Sequence, residues 1–303
     1  MYKKIVNLPE FNLQFITVEQ VQGIINNGSI SQSEKRGRYI CRRHIHKFGK
    51  DVYKKLPEHI KAVIRKGKGV YRIGQHGPDI FFYYKPICLP QSRINKIGPQ
   101  MHKEPAFGFF QKGIREFEIS PSPQLASYLF GFACHFMLDS TCHGHVGRFE
   151  KQTGISHAEI ETELDRYLMI ETGKEPRVYL PASVLDDSEE NCRVIARMFP
   201  SVTPKQIHRA LEGQKLYDRL LTCKNPMKEK VVLGGMHVLG CYDILEGQVM
   251  RKKANPACRE STTRLMELYQ KALDETPAIL ENLYQCLYGT GTTLSSRFLR
   301  DYH

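Results

Sequence analysis

The feature that most constrains this chain is an apolar run with a histidine set into it and a carboxylate at its end. The run, Leu125 to Leu138 (LASYLFGFACHFML), is 14 residues long and carries Ser127 and His135. A membrane-spanning helix needs about 20 apolar residues. The length therefore predicts a buried core helix, and no transmembrane segment is expected. Asp139 follows directly, and a carboxylate buried on such a helix must be paired or bound to metal.

The flanking sequence reads as helical throughout. FGKDVYKKLPEHIKAVIRK places Phe48, Val52, Tyr53, Leu56, Ile60, Val63 and Ile64 near a 3.6-residue period, with Pro57 at a break between two helical pieces. GQHGPDIFFYY is a glycine- and proline-punctuated loop running into an aromatic stretch. Met101 to Phe110 reads as helix interrupted by Pro105, and the apolar helix is expected over 124–143. Ser156 opens another through the capping box S-H-A-E. Residues 172–205 look loop-rich, and three amphipathic segments follow near 206–222, 227–252 and 258–288. With no repeat and no run of alternating strands, the expected fold is all-α. It divides into an N-terminal extension over 1–37 and one compact multi-helix domain over 38–303.

At 303 residues the chain can bury roughly 75% of its unfolded surface without a disulfide or structural metal. Metal ligands, if present, are therefore expected to serve chemistry. Nine cysteines occur with no CxxC pair, and MYKKIVNLPEFNLQF lacks the apolar core of an export signal. The expectation is a cytoplasmic protein with reduced thiols.

Five of the 12 histidines fall between His102 and His157. Two of them stand four residues before a carboxylate: His135 before Asp139, and His157 before Glu161. Four residues rotate a helix by about 40°, so each pair shares one face. Imidazole with carboxylate is a ligand set of catalytic zinc sites. Together with Asp79, His102 and His143 these residues exceed what one tetrahedral ion can use, so two metals are expected. His143 lies about 40° from Asp139 on a continuing helix, whereas His145 lies about 120° away. Gly144 between them can end a helix, and His143 is the choice the angles favour. His76 is read as setting the turn before Asp79, and Cys134 and Cys142 as packing.

The motifs GQHGPDIFFYY, IGPQMHKEPAFGFF, GFACHFMLDSTCHGHV and ISHAEIETELD resemble the zinc-dependent phospholipase C family. That family includes the catalytic domain of glycosylphosphatidylinositol-specific phospholipase D and shares its fold with single-strand-specific fungal nucleases. The likeness covers roughly residues 39–165. It implies a helical zinc-cluster fold with one site from Asp79, His102, His135 and Asp139, and a second from His143, His157 and Glu161. It gives Asp79 the role of orienting or deprotonating the attacking water. Asp139 would bridge toward a third metal. In the secreted phospholipases that third zinc is held by an N-terminal tryptophan and a nearby histidine. This chain has no Trp, and the family's spacing falls on Ile45, between His44 and His46. Those two are the candidates, and a third zinc stays open.

The resemblance implies hydrolysis of a phosphodiester by metal-activated water attacking phosphorus. The formal net charge of +12 suits an anionic substrate, either a phospholipid headgroup or nucleic acid. Two alternatives stand beside a phospholipase C-like reading: a single-strand nuclease or nucleotidase-like hydrolase, and a metal-retaining binding protein without turnover. A nuclease needs exposed aromatics for bases to stack on, and IFFYYK over 80–85 can be that platform or plain core. The basic stretch SQSEKRGRYICRRHIHKFGK reads first as a solvated face, with peripheral membrane contact as its alternative.

Overall fold

A computed structural model describes residues 43–85, 92–238 and 240–302, apart from the side chains of Arg43, His44 and Ile244. The extension at 1–37 and the imidazole of His44 lie outside the described residues. The chain forms α1 (Arg43–Lys55), α2 (Glu58–Lys66) and α3 (Lys68–Gly74), then a 3-10 turn over Gly77–Tyr83. There follow α4 (Ile97–Met101), α5 (Phe107–Ile119), α6 (Pro123–Thr153), α7 (His157–Glu171) and α8 (Glu189–Ala196). The last elements are α9 (Pro204–Leu221), α10 (Pro226–Val238), α11 (Tyr242–Leu245) and α12 (Arg259–Tyr288). No strand occurs among the described residues, and the fold is all-α. None of the described helices is long and apolar enough to cross a membrane.

The apolar helix is longer than its sequence pattern predicts. Ser122 caps α6 by accepting from Leu125 N, Pro123 occupies its first turn, and Gly154 ends it in the left-handed conformation at φ 75°. The helix passes through Gly144 unbroken, because the turns on either side pack and no proline interrupts them. Residues 125–140 are buried on all sides, so the remaining helices must wrap this one. Glycine makes the tightest of these contacts. A Cβ on Gly131 would fall 2.2 Å from the Tyr71 carbonyl oxygen, and one on Gly74 would fall 2.4 Å from that of Tyr128. Only bare backbone lets α3 and α6 approach so closely.

Helices α1, α2 and α12 cover the other faces of α6. Pro57 separates α1 from α2 as its sequence position predicts. The 172–205 segment is less irregular than expected, since Pro181–Val184 forms a 3-10 turn and Glu189–Ala196 a helix. The aromatic stretch after Asp79 is core: Ile80, Phe81, Phe82, Tyr83 and Tyr84 are all buried. It offers no exposed platform for a base.

Candidate metal centre

Three segments distant in sequence deliver the first group of candidate ligands. Asp79 sits in the 3-10 turn that Pro78 opens, and its side chain is fully buried. His102 follows the short helix α4, and His135 comes from the middle of α6. One ligand atom from each of these three lies within 4.8 Å of the others. Glycine again sets the approach. Gly77 has φ 53°, and a Cβ there would lie 2.2 Å from His135 Cδ2, so the turn can press onto the imidazole only without a side chain.

His102 Nδ1 donates to the Gly98 carbonyl at 2.8 Å, which leaves Nε2 facing the carboxylates. That nitrogen stands 3.2 Å from Asp79 Oδ1 and 3.8 Å from Asp139 Oδ2, with no well-formed hydrogen bond to either. Burial by itself would lower the pKa of His102, but Asp79 and Asp139 outweigh it and carry the value up to about 9. Burial would likewise raise Asp139, yet His143, His102 and His135 hold its carboxyl well below the usual range. A positive charge is thus stabilised where the two carboxylates meet.

The second group lies one turn further along α6. His143 Nδ1 stands 3.8 Å from Asp139 Oδ1. Its ring centroid is 4.9 Å from that of His157, and His157 Nε2 is 3.1 Å from Glu161 Oε1. Ser156 orients this pair by capping α7, its hydroxyl accepting from Glu159 N. Burial would lower the pKa of His157, but Glu161, Glu150 and Asp139 raise it above the ordinary value. A cavity of about 20 Å³ opens between Ile45, Asp139, Cys142, His143 and Glu161, room for a single water or ion. Burial and the charges of Asp139 and Glu161 push the Cys142 thiol up, so it lines the cavity as a neutral group.

The donor set fits a zinc ion. Imidazole and carboxylate are its ligands, and Asp139 Oδ2 is buried and accepts no hydrogen bond. Asp139 turns one oxygen toward each group. The structure thus brings together Asp79, His102, His135 and Asp139, and beside them His143, His157 and Glu161. His145 points elsewhere, its Nε2 3.0 Å from Ser261 Oγ.

His46 is engaged away from these groups. Its Nδ1 is 3.0 Å from Gln75 Oε1 and its Nε2 3.0 Å from His76 Nε2. His76 Nδ1 in turn meets Gln214 Nε2 at 2.9 Å. Burial pushes His46 down to about 4, in keeping with a neutral imidazole there. Ile45, where the family's spacing would put a third-site histidine, contributes an apolar wall to the cavity.

Sequence reasoning missed Tyr302. Its ring centroid is 4.8 Å from that of His102 and 5.9 Å from that of His135, and its backbone N–H donates to the His102 carbonyl at 3.4 Å. Burial and the charges of Asp139 and Asp79 push its phenol well up. It roofs two ligand imidazoles as a neutral side chain. No local pattern near Tyr302 announces this contact, which only the packing of the chain beyond α12 creates.

Fold and site together define an all-α protein with a buried carboxylate–imidazole metal centre. Comparison with known families matches residues 43–201 to the one described as zinc dependent phospholipase C, and the chain belongs to that family. The match spans α1 to α8 and holds every candidate ligand named above. At the family level this is a zinc-dependent hydrolase of phosphoric esters. No curated protein and no solved structure matches the chain.

Proposed function

We propose that the protein hydrolyses phospholipid phosphodiesters at a two-zinc centre. Asp79, His102, His135 and Asp139 hold one ion, and His143, His157 and Glu161 hold the second. The observation that carries this reading is Asp139, whose two oxygens each stand 3.8 Å from an imidazole of a different group. Bound zinc supplies Lewis acidity, which brings the pKa of a water toward 7 and offsets charge developing on phosphate oxygens.

The protein's own residues supply the rest. Gly98 fixes the face that His102 presents, and Gly77 seats the turn against His135. Asp79, buried beside them, orients the attacking water and accepts its proton. Asp139 keeps the two sets of ligands one helical turn apart.

Phospholipid is favoured over nucleic acid because the family is one of phospholipases and the aromatic run after Asp79 is core. Zinc-loaded protein and its His135→Ala variant should be assayed side by side on phosphatidylcholine vesicles and on single-stranded DNA. Release of the phosphorylated headgroup by the wild type alone is expected. Cleavage of DNA with lipid untouched would favour the nuclease reading. No turnover of either by zinc-saturated protein would favour a binding protein.

A further inference from the structure

Helix α10 is apolar on two opposite faces, and only one of them is covered. Val232, Leu233 and Met236 turn inward onto a small core of Tyr83, Tyr217, Leu221 and Val249. On the other side Met227, Val231 and Val238 are 66%, 62% and 70% exposed. Gly234 lies between them, with nothing within 4 Å of where its Cβ would be. Steps of four, three and four residues align 227, 231, 234 and 238 in one stripe. A single exposed valine needs no explanation, but an aligned apolar row does.

The charges that α10 itself carries away from its covered side have one sign. The helix's acidic residue, Glu229, lies on the covered side, where it pairs with Arg177 and Arg251. The exposed Lys230 flanks the stripe at roughly 70° from its mean direction. Lys228 lies at roughly 90° on the other side, its ammonium donating to the Arg219 and Thr222 carbonyls, and the exposed Lys224 precedes the helix. Arg219, Leu216 and Leu220 are exposed on the last turns of α9, which leads into α10. What faces outward is therefore an apolar row beside the exposed cations Lys224, Lys230 and Arg219, the pattern of a helix lying in a membrane interface.

A second copy of the chain fits this face poorly. A stripe about 20 Å long and about 10 Å wide offers about 200 Å², against roughly 800 Å² per partner in a stable interface. A two-fold pairing would also set lysines against lysines.

We infer that α10 is the surface by which the protein lies against an anionic phospholipid bilayer. Met227, Val231 and Val238 enter the headgroup–acyl boundary, and Lys224 and Lys230 meet lipid phosphates. The inference rests on the phospholipid reading for its purpose, and it deepens that reading. The covered face of α10 shares its small core with Tyr83, which belongs to the 3-10 turn that carries Asp79, so docking through this helix holds the metal centre close to the bilayer.

The test is flotation of full-length, zinc-loaded protein with phosphatidylcholine vesicles, with and without phosphatidylserine. The wild type is expected to float with the phosphatidylserine vesicles and to be released by salt. Val231→Asp and Lys230→Glu, both surface changes, should each weaken flotation about ten-fold or more. Turnover of water-soluble bis-p-nitrophenyl phosphate should stay unchanged in both. Wild type that fails to float, or Val231→Asp that floats equally well, overturns the inference. So does a wild-type dimer that Val231→Asp breaks, since a second copy would then cover the face. Protein that floats through α10 but hydrolyses no phosphodiester keeps the docking surface and removes the catalytic reading.

Discussion

Asp139 Oδ1 stands 3.8 Å from His143 Nδ1, one turn along the same helix, while Asp139 Oδ2 faces His102 on another segment at the same distance. One carboxylate joins two sets of candidate ligands. Asp139→Asn keeps the shape and removes the charge that both sets share. Zinc content is expected to fall from two ions per chain to one or fewer, measured by mass spectrometry on protein purified without chelator. Unchanged stoichiometry would sink the bridging role.

His143 and His145 differ in direction on one helix. His143→Ala should lose the second zinc and lower phosphodiesterase turnover at least ~100-fold, the scale on which catalytic groups act. His145→Ala removes only a contact to Ser261 and should leave both zinc content and kcat within about two-fold. Equal losses in the two variants would contradict the assignment.

Gly77→Ala tests the seat of the turn. The change forces a non-glycine residue to φ 53° and drives a methyl into the His135 ring. A loss of about 1–3 kcal/mol in stability is expected, together with weaker zinc binding because His135 must shift. Thermal melting of stripped protein and zinc titration measure the two effects separately.

The metal-free protein should have a pH optimum set by two histidines. His102 is raised from 6.5 to about 9, so its stabilisation is present below 6.5 and is lost as pH rises through 9. His46 is lowered from 6.5 to about 4, so its contribution is present above 6.5 and is lost as pH falls toward 4. Melting of chelator-treated protein should therefore peak near pH 6.5, and His102→Gln should flatten the alkaline decline. Stripped protein more stable at pH 9 than at 6.5 would contradict this. Zinc takes the place of the His102 proton, so zinc-bound protein should lack the decline.

The ligand pairs on α6 and α7 were legible because helical geometry turns a four-residue step into a shared face. Asp139 stood out because it ends an apolar run, with imidazoles four residues before and after it as the local partners for its charge. The choice of His143 over His145 depended on α6 continuing, which the packing on both sides of Gly144 decides. Other parts of the site had no local sequence pattern. Tyr302 reaches the cluster only through tertiary packing, and the 3-10 turn over Gly77–Tyr83 hides its purpose in an ordinary glycine–proline loop. The hydrogen bonds that occupy His46 come from Gln75 and His76, residues far from it in sequence. The uncovered face of α10 was equally hidden, since VVLGGMHV reads as apolar whichever side is buried.

We propose one buried cluster that both holds zinc and hydrolyses phosphodiesters. Phosphatidylcholine hydrolysis followed while zinc is titrated into chelator-stripped protein tests it most directly. Headgroup release is expected to rise to a plateau at two zinc equivalents per chain, with Asp139→Asn inactive throughout. Wild-type protein that takes up two zinc ions, stays folded and releases no phosphorylated headgroup at any zinc level would contradict it.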